Sequence, residues 1–194
     1  MTRRNIWMII PALLLPYLAL FILTTIFLSP KIAFFRYIME SVFNSNALYL
    51  IGAFILCCIV TAILTISCFL VGLYKEWDAL SLAKIVMIVK LFQIPAYVLI
   101  FVLGILLMIT IFTIPFSIGL FLFSYFSLFL TGAMVVSAGI NSIRQGVFKL
   151  KEVLWIMVLQ FVFCADVVSS IIFYVKLKNV TDKTNKANMQ KFML

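Results

Sequence analysis

The sequence predicts an all-α integral membrane protein, a polytopic bundle of five spanning helices, with four as the alternative, and a short helix lying at the interface. Three observations carry this. Between Lys90 and Arg144 the chain runs 53 residues without a charged side chain, a stretch that a domain of 194 residues could not hide beneath its own small surface. Hydrophobic residues make up 66% of the chain and charged ones 11%, against about a quarter charged in a typical globular domain. The apolar runs are also continuous rather than alternating, which is the pattern of membrane helices and not of barrel strands.

Each element follows from an apolar run and its punctuation. Residues 6–28 form the first span: Arg3 and Arg4 precede it as in a signal peptide, but the run is too long for one and lacks a small-residue cleavage site, so an uncleaved span is expected. Pro11 and Pro16 within it predict a kink whose freed carbonyls must find other donors. Residues 31–44 mix Lys31, Arg36 and Glu40 with Phe35, Ile38 and Phe43, which suits an interfacial helix, and Arg36 and Glu40 sit one turn apart. Residues 47–73 make the second span. Asp78 is an N-cap for a helix that continues into the third, over 85–112. Pro115 ends the charge-free run's first half in a short turn, and residues 116–140 form the fourth span. Residues 153–175 form the fifth, so that residues 1–175 are one membrane domain. Residues 176–194 are lysine-rich, read as a basic, flexible tail.

Five spans leave the orientation almost balanced, with eight basic residues on the first side and seven, mostly tail lysines, on the other. Basic connections and the grouping of Trp7, Trp77 and Trp155 favour the first side as cytoplasmic. Were one segment of the charge-free run re-entrant, four spans would remain and the tail would join the amino terminus.

Composition excludes several functions. The net charge of +9 resides in connections and tails rather than along a recognition helix, so anionic headgroups explain it and nucleic acid does not. There is no histidine, and Cys57, Cys58, Cys68 and Cys164 have no metal-ligand spacing, so neither a metal nor any other cofactor is expected. No serine elbow, HExxH motif or phosphate loop is present, and the protein is expected not to be an enzyme.

What chemistry remains lies inside the spans. Asp166 falls 13 residues into its segment, about 20 Å along a continuous helix, where a carboxylate marks either an ion path or a neutral packing acid. Lys90, Gln93, Tyr97 and Gly104 recur at helical spacing, so that face of the third span should look into protein. Lys90, only about 7 Å into a span beginning at residue 85, should snorkel to the interface rather than reach Asp166. Tyr97 is the better donor to the carboxylate, and Thr61 and Ser127 complete a possible polar centre at mid-depth. Gln160 and Cys164 fall on another face of a continuous helix. Gly132 and Gly139 suit close helix packing. Lys90, Lys149, Lys151, Lys183, Lys186 and Lys191 are the candidate contacts to lipid or a partner.

The strings Lys90-Leu91-Phe92-Gln93-Ile94-Pro95-Ala96-Tyr97 and Gln160-Phe161-Val162-Phe163-Cys164-Ala165-Asp166-Val167-Val168-Ser169 resemble a family of small multi-span bacterial proteins of unknown function. The resemblance covers about the second half of the chain and implies a bacterial cytoplasmic membrane, with no activity or site residue to carry over. In size and hydrophobicity alone, the layout is similar to membrane subunits of Kiwa-type defence systems. The expectation is a non-enzymatic membrane subunit that binds, senses or anchors a partner in the bilayer, as a homo-oligomer, with a soluble protein, or both. A bacterial defence role would suit it. The alternative is a small channel, transporter or transporter accessory subunit built around Asp166.

Overall fold

The computed structural model describes residues 9–109, 111–162 and 164–192, and among these it is helical with no strand. Arg3, Arg4 and Trp7 lie outside the described residues. The helices are α1 (Ile10–Leu28), α2 (Ala33–Ser41), α3 (Ala47–Tyr74), α4 (Ala79–Leu107), α5 (Ile114–Arg144), α6 (Leu150–Leu159) and α7 (Ala165–Phe192), with a 3-10 turn at Ile111–Thr113. Four segments are long and apolar enough to cross a membrane: α1, α3, α4 and the turn joined to α5. Their outer faces expose large apolar side chains such as Leu56, Ile63, Phe101 and Phe121 in a belt far larger than soluble proteins tolerate, consistent with a multi-pass membrane protein.

The predicted fifth span is corrected. Residues 153–175 are not one helix but the end of α6, a break with Cys164 at φ 68°, and the start of α7. The break contains neither proline nor glycine, so apolarity ran through it unmarked. Its geometry is a helical hairpin folded back along the bundle. α6 descends along α5, bringing Val153 and Met157 against Gly139, and Gln160 against Gly132. α7 then climbs back, and the Phe173 ring lies 6.0 Å from that of Phe148 in the α5–α6 loop. The hairpin therefore enters and leaves by the same end of the bundle, here called the near end. The start of α1, the α3–α4 turn and the α5–α6 loop share it.

The near end is built tightly. Asp78 caps α4 through its carboxylate, which accepts from the Ser81 amide at 2.9 Å. At the close of α5, the Asn141 amide donates to the carbonyls of Gly72 (2.9 Å) and Trp77 (3.2 Å), and Arg144 donates to that of Leu73 at 2.7 Å. The Gly72 and Leu73 carbonyls belong to the last turn of α3, which lacks a full set of intrahelical donors, and the Trp77 carbonyl to the α3–α4 turn. The larger core cluster fills this half, with Trp77, Val86, Met134, Ile156, Phe173 and Leu177 in contact across α4, α5, α6 and α7. The far half has a smaller cluster around Leu23, Tyr97, Ile100 and Leu120.

At the far end α2 buries no residue, and Arg36 donates to the Pro30 carbonyl at 2.7 Å rather than pairing with Glu40. Pro115 occupies the first turn of α5, where its missing amide costs nothing. In the segment expected as a basic tail, α7 continues as a helix to Phe192.

Candidate polar centre at the helix break

A helix that stops inside an apolar bundle leaves carbonyls at one end and amides at the other without partners. The α6–α7 break does both at one place, and the centre consists of the groups that answer it. Asp166 stands in the first turn of α7, at the positive end of that helix. Gln160 caps the negative end of α6. Lys90 reaches both, its ammonium 3.0 Å from Asp166 Oδ2 and hydrogen-bonded to Gln160 Oε1. Each charge thus faces the helix end of opposite sign. The Gln160 amide nitrogen donates to Ser169 Oγ at 2.8 Å, Ser170 Oγ donates to Gln160 Oε1 at 3.2 Å, and both serine hydroxyls also donate to the Asp166 carbonyl.

The ion pair corrects the expectation that Lys90 snorkels and that Gln160 lies away from Asp166. Two causes combine. α4 begins at Ala79, six residues before residue 85, which sinks Lys90 about 9 Å deeper. The break then reverses the chain, so that Gln160 and Asp166 converge on one cation. Lys90 is 1% exposed and touches no surface.

Tyr97 and Ser127 do meet, the phenol donating to Ser127 Oγ at 2.9 Å between α4 and α5. Thr61 is buried on α3, and its hydroxyl is not among the groups bonded to the ion pair. Lys149, Lys151, Lys183 and Lys186 are exposed at or beyond the near end, while the side chain of Lys191 lies outside the described residues.

Gln93 has a role that helical spacing alone could not show. Pro16 has no amide to donate to the carbonyl of Ala12, four residues earlier, and Gln93 Nε2 donates to that carbonyl at 2.7 Å. Nearby, Tyr17 on α1 donates to the Phe92 carbonyl of α4, a second bond between the two proline-containing helices.

The described residues hold no cluster of three potential metal-ligating side chains. A family model, described as a family of unknown function (DUF6652), matches residues 7–179. No curated protein and no solved structure matches the chain.

Proposed function

The chain belongs to this family of unknown function, and on its own geometry we propose that it is a non-enzymatic, multi-pass membrane subunit that presents α7 to a soluble partner on the cytoplasmic side. The near end is taken as cytoplasmic because the described residues there include Lys75, Lys84, Arg144, Lys149, Lys151 and the lysines of α7, while the far end has Lys31 and Arg36. With the hairpin turned back, the tail no longer offsets that bias.

The observation that carries this reading is the continuation of α7. Past Leu177, its last core residue, the helix runs a further fifteen residues, about 22 Å, away from the bundle. Asn179, Thr181, Asp182, Thr184 and Asn185 are weak helix formers, and a polar helix of this length is marginal alone, so a docking surface would stabilise it. Lys183 and Lys186 stand about 9 and 14 Å beyond Leu177 along the axis. Held clear of the bundle's core, these lysines offer positive charge to which an acidic protein surface is complementary.

Affinity purification in mild detergent, comparing the full chain with Lys183, Lys186 and Lys191 changed together to Gln, tests the proposal. The expected result is a stoichiometric soluble protein lost from the triple variant, whose membrane domain remains folded. Identical captured proteins, or collapse of the bundle on neutralising the lysines, would refute it.

A second reading, a small channel or transporter, is favoured by the helix break itself, since discontinuous helices recur at transporter ion sites. It requires that an assembled Asp166→Asn protein lose flux in liposomes. The direct pairing of Asp166 with Lys90, which neutralises the carboxylate inside the bundle, supports the structural role instead.

A further inference from the structure

The helical hairpin occupies only the near half of the seam between α4 and α5. Its level can be traced along α5: Gln160 lies 3.5 Å from the position a Cβ would take on Gly132, and the Phe161 ring is 5.7 Å from that of Phe129. One turn further, Tyr125 already lines an open groove of about 410 Å³ that continues the same seam toward the far end. Tyr97, Gly104 and Met108 line it from α4, and Ser117, Ser124 and Tyr125 from α5.

We infer that this groove is a binding site for one acyl chain of a membrane lipid in the far-side leaflet. The inference rests on the membrane reading above and adds a ligand to it. Chemistry selects an apolar occupant, because the lining is mostly apolar and three of its four hydroxyls, those of Tyr97, Ser117 and Ser124, are already bonded, the first to Ser127 and the others to the carbonyls of Gly104 and Leu120, leaving that of Tyr125 at the groove's margin. Length selects one leaflet. From Tyr97 to Met108 is eleven residues, about 16 Å, which is half of a hydrocarbon core of about 30 Å. The groove is flanked by Phe101, Ile105 and Phe121, all more than half exposed, so a chain enters sideways from the bilayer.

The test uses phosphatidylglycerol with a photoactivatable diazirine at mid-chain, incorporated into nanodiscs with the full-length protein, and maps adducts by mass spectrometry. Ile51, Ile55 and Leu56 on α3 lie in the same half of the bundle with similar exposure and serve as reference positions. Adducts at Phe101, Ile105 and Phe121 should exceed those at the reference positions several-fold. A Cβ at Gly104 would meet only Ser117 Oγ at 3.7 Å, so Gly104→Ala should keep that excess while Gly104→Leu, which projects into the groove, should abolish it. Equal labelling of groove and reference positions would overturn the site while leaving the membrane reading intact. Absence of adducts at both sets would overturn the membrane reading itself.

Discussion

The pairing of Lys90 with Asp166 makes a demanding prediction, because the two residues hold a helix hairpin in place from inside the bundle. Lys90→Met removes the cation and leaves a carboxylate whose side chain is 6% exposed; Asp166→Leu leaves the ammonium, 1% exposed. Breaking a buried pair from either side costs about 3–5 kcal/mol, because the surviving charge has no compensation. For a chain of this size about 1 kcal/mol corresponds to roughly 2–4 °C, so each single variant should melt about 6–20 °C below the parent. The double variant removes both charges in favour of apolar side chains of similar bulk and should regain most of that loss, as buried pairs replaced whole often do. The resulting coupling of several kcal/mol exceeds the ~1 kcal/mol of an ordinary interhelical hydrogen bond. Thermal unfolding of purified protein in detergent, followed by size-exclusion chromatography with fluorescence detection, measures all four states. Single variants within about 2 °C of the parent, or a double variant as unstable as the summed singles, would refute the argument.

Other consequences are as direct. Cysteines placed at Lys149 and Lys183 should share one compartment and one at Lys31 should lie in the other; an impermeant thiol reagent applied to intact cells should modify only the last, and opposite accessibility of the first two would restore the fifth span. Gly139→Ala puts a Cβ 2.6 Å from Val153 Cγ1 and 2.7 Å from Met157 Cε, so it should cost about 1–3 kcal/mol in thermal unfolding and be partly relieved by Met157→Ala. Gln93→Leu leaves the Ala12 carbonyl without its donor and should cost about 1–3 kcal/mol; adding Pro16→Ala, which supplies a helical amide to that carbonyl, should recover part of the loss, and failure to do so would dissolve the link between the two residues.

Four of the long helices were legible because the signals are local. Apolar length marks α1, α3, α4 and α5, Asp78 marks the start of α4, and Pro115 marks the start of α5. The spacing of Lys90, Gln93 and Tyr97 also located the buried face of α4. The polar centre was half legible: Asp166 stood out by its burial cost, but its partner did not. Depth was counted from a span edge at residue 85 that was set by Lys84, although the helix had already begun at its cap. The hairpin was illegible for a different reason. The break leaves the apolar run uninterrupted, and what marks it, the meeting of Gln160 with Lys90, Ser169 and Ser170, joins residues that a continuous helix would keep apart.

The folded-back course of α6 and α7 bears on the order in which the chain is put together. On the proposed topology both ends of the hairpin return to one side, so residues 145–192 would need no translocation. A lone aspartate at the centre of a helix adds about 2.5–3.5 kcal/mol to its insertion, and that penalty falls once a cation already waits at the same depth. Lys90 is synthesised 76 residues before Asp166, on a helix that α1 and α5 already flank. On that topology the first five helices would serve as the template, and the hairpin would enter last, from the side on which it was made.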